Sequence, residues 1–374
     1  MESTSTQKPD AGQYRVVVNS IGKAGLAASA AIAKGLGIPA STLVARLYRA
    51  PAVLVEGVEQ QVADQVSKLL CDIGYQSEVQ DISLPAPARS KLYDVAVYVH
   101  EAEAFLPTVK MLSQFIGITE SDASSMLMTP PGIVLGSVSK ATVEVLHNQL
   151  NDGASIIASI TDQANYDLFL GDGVEIVRRR ILADIQDAKI PLIAEQGLVA
   201  AGVDHEAAQS LWRRHQASGL MRIVNRDFLR FDLVCTGIAE GYGKASVEQI
   251  ALLNTLAGIP KEMVTEVLDA LPLTLLDAVP NAEVEQKMMM LEQVGLQMQA
   301  DLVSFQLLDL EVLSITQPSA TANTLINYGL HQQGQSLPAL PFKLGGSLPE
   351  LQAKLIKAAL EQSGAKVVYA ESQT

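Results

Sequence analysis

Aromatic residues make up only 5% of this 374-residue chain, with a single Trp. Without large rings, the cores must be filled by Ala, Leu, Val and Ile, and the apolar share of 48% suffices for that. Cysteine is nearly missing as well: Cys71 and Cys235 lie far apart in apolar patterns, one helical and one strand-like. They read as two buried free thiols, which excludes a disulfide-framed fold. No stretch approaches the ~20 consecutive apolar residues of a membrane span. The opening "MESTSTQKPDAGQ" lacks the basic and apolar segments of a secretory signal, so a cytoplasmic protein with a disordered stretch at 1–12 is expected. Basic charge is also short, and the net charge is −14. Nucleic-acid backbones are bound by cations that displace counterions, so nucleic acid is not the expected partner. The one dense basic spot, Arg178-Arg179-Arg180, sits in a helical pattern among acids and reads as a solvated helix face.

What is present is repetition. Strand-like openings "YRVVV" (Tyr14), "YDVAV" (Tyr93), "YDLFL" (Tyr166) and "FDLVC" (Phe231) recur at intervals of about 65 to 80 residues, and a fainter "EVLSI" starts at Glu311. Pro39 to Pro51, Thr119 to Pro131 and Pro260 to Pro272 each span 12 positions. A helix-ending glycine then follows 22 or 23 positions later, at Gly74, Gly153 and Gly295, and Pro341 to Gly364 keeps the same 23. Self-similarity at this period is the signature of a repeat architecture.

Each unit reads as strand, helix, short helix, strand, helix, strand. In the first, "AGLAASAAIAKGLG" is an Ala-rich helix ended by Gly35 and Gly37, where left-handed backbone suits glycine. Pro39 suits the first turn of the next helix, and Pro51 stops it. "EQQVADQVSKLLCDIG" is amphipathic, with Val62, Val66, Leu69, Leu70 and Ile73 on one face. The fold class is α+β: tandem repeats of a β-α-α-β-α-β module, a three-stranded sheet with helices on one face. The modules are 13–82, 91–163, 164–228, 229–306 and 307–371, with a linker at 83–90. In the third, Pro191 to Gly202 is 11 positions against 18 from Pro39 to Gly57, so the short second helix is expected to be lost. The fifth lacks the Gly-Ile-Pro/Thr turn. The Pro/Ala-rich linker is expected to let module one move, while the tight joints elsewhere pack modules two to five continuously.

"LVARLYRAPAVLVEGVEQQVADQVSKLLCDIGYQSEV" resembles the C-terminal domain of the bacterial ribosomal stalk protein of the large subunit. That domain has the same element order, with Ala-Pro-Ala before its middle strand (here Ala50-Pro51-Ala52) and Glu-Gly-Val after it (Glu56-Gly57-Val58). "FIGITESDASSMLMTPPGIVLGSV" is similar to the central segment of the Clp-protease adaptor, a related fold. The stalk domain catches translation GTPases with basic residues on its first two helices. The matching positions, Gly25, Ala28, Ala30, Ala31, Ala33 and Val44, carry no charge, so that activity is not implied. The adaptor grips a peptide's N-terminal amine with Asn-Asp and a His. Asn19 is followed by Ser20, and the His position falls at Arg49, Thr129 or Ala270.

Chemistry-bearing constellations are few. His100, His147, His205, His215 and His331 show no metal-ligand spacing, and a surface role suits His205 and His215. "GDGVEIVRRR" lacks the residues of a phosphate-binding loop, and Asp172 reads as a turn near a helix start. Met288, Met289, Met290 and Met298 are read mostly as core. No cofactor and no catalytic set is expected. The expectation is a non-enzymatic scaffold or assembly subunit that binds a protein partner or itself, with a peptide-binding adaptor as the alternative. Its candidate surface comprises Leu26, Ala27, Ala30, Ala31 and Lys34 on the Ala-rich helix, whose stretch "AASAAIA" lacks charge, and Trp212 and Arg213 in the third module. An enzyme site around Trp212, Arg213, Arg214 and His215 is the third possibility.

Overall fold

A computed structural model describes residues 12–24, 29–88, 90–193 and 197–370. Two compact units emerge, 1–162 and 163–374. The division falls between modules two and three, not after module one as the Pro/Ala-rich linker suggested.

Unit one holds two modules. The first runs β1 (Tyr14–Ser20), α1 (Ser29–Leu36), α2 (Ala40–Leu47), β2 (Ala52–Val58), α3 (Gln60–Ile73) and β3 (Gln76–Asp81). The second runs β4 (Leu92–Val99), α4 (Phe105–Ile116), α5 (Glu120–Met128), β5 (Ile133–Ser139), α6 (Lys140–Gln149) and β6 (Ala154–Ile160). Unit two begins with β7 (Tyr166–Leu170), α7 (Glu175–Asp187), β8 (Leu198–Val203), α8 (His205–His215) and β9 (Met221–Asn225). Its next module is β10 (Arg230–Ile238), α9 (Val247–Ala257), α10 (Val264–Asp269), β11 (Leu273–Pro280), α11 (Asn281–Gln293) and β12 (Leu296–Leu302). The last is β13 (Leu307–Ile315), α12 (Pro318–Asn327), β14 (Phe342–Lys343), β15 (Leu348–Pro349), α13 (Glu350–Gln362) and β16 (Ala365–Ala370). The fold is α+β, built from small antiparallel sheets and helices. In every module the first strand is central and pairs antiparallel with the second and third, as in β2-β1-β3. In the last, β14 and β15 are the two halves of a broken second strand.

The repeated prolines and glycines do repeated work. Pro51, Pro131, Pro272 and Pro341 all follow cis peptide bonds. Gly74, Gly153, Gly219, Gly295 and Gly364 all take positive φ after the last helix of their module, where a side chain would be strained. The first helix ends in the same way, on Gly37, Gly117, Gly258 and Gly329, and in module three on Lys189 at φ 59. Gly329 with Leu330 therefore supplies in module five the turn the sequence seemed to lack, and Leu330 N donates to Leu325 O at 2.9 Å. Pro39 stands at the N-cap of α2, one residue before the first turn. Among the described residues no second helix separates α7 from β8 or α12 from β14.

A second shared device lies opposite these turns. Two residues before the last helix's N-cap, the backbone bulges with positive φ at Gly57, Ser137, Gly202 and Ala278. In three modules the aspartate of the opening strand accepts the bulge amide: Asp94 from Ser137 (2.9 Å), Asp167 from Gly202 (2.9 Å), Asp232 from Ala278 (2.8 Å). Register places Leu308-Asp309 at that position in β13, so the fifth opening is "LDLEV", three residues before the "EVLSI" of the sequence reading. Module one has Arg15 instead. It is buried, bonds Gln80 Oε1 at 3.1 Å and donates to the Leu84 carbonyl at 2.9 Å. The linker is thereby tied to its own sheet.

Each module of unit two has its own core, centred on Leu168, Ile181 and Ile185, on Leu253, Val264 and Leu291, and on Leu310, Ile356 and Leu360. Burying each such side chain stabilises by about 1.5–3 kcal/mol. Within unit one the modules meet at Tyr48. Its ring stacks on Phe115 (6.1 Å between centroids), its hydroxyl donates to Phe115 O (3.0 Å), and its carbonyl accepts from Ser139 N (2.8 Å) and Thr142 Oγ1 (2.9 Å). Module one is thus docked, not free. Within unit two, Phe305 packs edge-on against Phe169 at 5.1 Å, and buried Arg230 pairs with Glu350 at 3.2 Å.

Two side-chain expectations change. Cys235 is buried but Cys71 is exposed, because α3 turns Ala63 and Leu70 inward and leaves Val62 and Leu69 outside. Met289 and Met290 are exposed, since the core side of α11 is held by Leu291. Asp172 lies in a bend three residues before α7, as expected, 3.8 Å from Arg178.

Candidate functional site: an aromatic cleft in the third module

The site is assembled on α8. Asp204 caps this helix, its carboxylate accepting from Ala207 N at 2.9 Å. From that start, His205, Ala208, Gln209 and Trp212 follow at i, i+3, i+4 and i+7, on one helical face. Leu211 and His215 turn to the core, and His215 Nε2 bonds Asp184 Oδ2 at 2.9 Å. His215 is therefore a buried residue, contrary to the surface role read from the sequence. Its place in a cluster with Trp212 is lost for the same reason.

Across from this face stand Tyr166 of β7 and Ile223 of β9. Together the six residues line an open cleft of about 240 Å³. The Tyr166 hydroxyl lies 3.2 Å from His205 Nδ1, and their rings tilt together at 5.8 Å. Trp212 is 43% exposed, and its indole forms the outer wall. Arg213 donates to Gln209 Oε1 at 2.9 Å on the rim, so its charge meets a neutral amide. The walls combine aromatic and aliphatic groups, Tyr166, Ala208, Trp212 and Ile223, with the polar side chains of His205 and Gln209. Such a surface seats an apolar or aromatic group.

Of the sequence-derived surface residues, only Trp212 and Arg213 contribute here. Lys34 is exposed in the last turn of α1. Leu26 and Ala27 lie outside the described residues, and Ala30 and Ala31 are placed only as backbone of α1. Tyr166, read as a strand opening, and His205, read as a surface histidine, were not assigned to a site from the sequence, and Ile223 was not singled out. The i, i+3, i+4, i+7 spacing was a usable signal for the helix side, whereas the β9 side depends on tertiary pairing. A second, shallower cleft of about 430 Å³ in module one is lined by Ser41, Thr42, Ala45, Arg46, Arg49 and Ala52.

Among the described residues, no group of three or more His, Cys, Asp or Glu side chains is arranged to hold a metal ion. Nor is any helix there long and apolar enough to cross a membrane. No protein-family model, curated protein or solved structure matches the chain.

Proposed function

We propose that this chain is a non-enzymatic, cytoplasmic scaffold or assembly subunit, built from ribosomal-stalk-like modules, that binds protein partners or further copies of itself. One observation carries the reading. Every module places its first strand in the centre, so among the described residues no further strand pairs with the outer edge of either flanking strand. Unpaired main-chain donors and acceptors are templates for another chain. Size-exclusion chromatography with light scattering tests it. A defined oligomer, or a stoichiometric complex with one protein copurified from the native cell, is the expected result. A monomer that copurifies with no partner overturns it.

A second reading, a peptide-binding adaptor, is favoured by the cleft between α8 and β9. Its aromatic and aliphatic walls beside an open strand edge suit an extended segment.

A further inference from the structure

We propose that the α8–β9 cleft is a docking groove for an extended protein segment. The segment adds as a strand to β9, seats one large apolar or aromatic side chain against Trp212, and points an acidic residue toward Arg213. The proposal rests on the adaptor reading and assigns its site.

The backbone supplies the first part. β9 pairs with β7 without a register shift, from Tyr166↔Asn225 to Leu170↔Met221. Gly171 N donates to Leu220 O and Arg226 N to Asn165 O, both at 2.8 Å. Antiparallel alternation then turns Leu220, Arg222, Val224 and Arg226 toward β7, and the N–H and C=O groups of Met221, Ile223 and Asn225 outward. Among the described residues no strand pairs with that side. Ile223 therefore offers main chain to the edge and side chain to the cleft. Its neighbour Asn225, the cross-strand partner of Tyr166, is 3% exposed, and its Nδ2 is an unpartnered buried donor among the described residues. Such a donor is costly until it finds an acceptor.

Size supplies the second. A volume of about 240 Å³ lies below the ~300–1,000 Å³ of ordinary small-molecule pockets. It suits one inserted side chain. Two of the other modules fill the same helix position with residues that find partners within the module. Eight positions after the N-cap, where module three has Trp212, module one has Ser67, bonded to Ser77 at 2.9 Å. Module five has Lys357 there, whose ammonium lies 5.8 Å over the ring of Tyr369, the residue at the register of Ile223. Module three alone sets an indole there beside an aliphatic Ile223.

Charge supplies the third. In a chain of net charge −14, Arg213 stands at the rim with, among the described residues, a neutral amide as its hydrogen-bond partner and no carboxylate in ion-pair range. An acidic residue two positions from the inserted side chain lies on the same strand face.

Trp212 is the only tryptophan, so its emission in the full chain reads the groove directly. The probe is acetyl-Asp-Val-Phe-Val-Asp-amide. A saturable change in Trp212 emission is expected, weakened about tenfold or more by backbone N-methylation, which removes strand pairing, and by Phe→Ala in the peptide. The exposed Arg213→Glu variant should bind it about tenfold more weakly and recover with the Lys-Val-Phe-Val-Lys peptide. The absence of a saturable change overturns the proposal. So does equal binding of the N-methylated peptide, or of N-acetylphenylalanine amide alone, which would make the cleft a small-ligand pocket. An oligomer seen by light scattering that ignores the peptide removes this groove and leaves the assembly reading intact.

Discussion

Three aspartates at one structural position show how a single carboxylate can serve a turn and cost it something as well. Asp167 is 3% exposed and accepts the amide of Gly202. Burial pushes its pKa up, against the Gly202 hydrogen bond and the Arg226 charge, which pull it down. Asp232 is also pushed up, chiefly by burial, with help from Asp277, Glu350 and Asp301. A carboxyl raised on folding stabilises the fold below its unfolded pKa, and that contribution is lost as pH rises through the folded value. Asp167→Asn keeps an acceptor for Gly202 and removes the titration. Relative to the parent chain, its unfolding midpoint should therefore rise between acid and neutral pH. Urea titrations at both ends of that range check this, and an unchanged difference would count against it. The thiols diverge too. Cys71 is exposed, with Ser77 Oγ 3.4 Å away, and that hydrogen bond holds its pKa below the usual thiol value. Burial raises Cys235. Iodoacetamide should label Cys71 in the native chain and Cys235 only after unfolding, as read by intact mass.

At the level of strands and helices, the legible parts were those with strict backbone requirements. Prolines before the second strand and glycines after the last helix stood at near-constant spacing, because each meets a local conformational demand that few residues satisfy. The Tyr48 joint, the outward Cys71 and the β9 wall of the cleft depend on which side of an element meets a distant segment. Residue spacing along the chain does not encode that. The Tyr48 joint makes a testable case. Tyr48→Ala should cost about 3–5 kcal/mol at the docking of modules one and two, and speed hydrogen exchange at Ser139, whose amide bonds the Tyr48 carbonyl. Slow exchange retained there would show that the joint does not depend on the ring. The bulges offer the reverse. Ala278 holds φ 48 without being glycine, so Ala278→Gly should stabilise by about 0.5–1 kcal/mol despite glycine's entropy. Calorimetry of the full chain decides the sign.

For the whole chain, the repeat pattern gave the fold class but not the partner. Recurring strand openings and fixed proline–glycine spacings pointed to α+β repeats, and the five sheets bear that out. Of the six cleft-lining residues, only Trp212 belonged to the surface proposed from the sequence, with Arg213 beside it, because the single indole of the chain stands out. Unfolding should not be a single transition. Trp212 emission follows module three alone, whereas far-UV dichroism follows all five. Chemical denaturation should give curves that do not coincide, and superimposable curves would indicate one cooperative block.

The separate interiors of unit two carry a further consequence. A cavity opened at Ile185, Leu253 or Ile356 is felt first by its own module, since each belongs to a different cluster. Inheritance can then tinker with one bead at a time: a groove can be gained in one copy while its siblings keep the chain folded.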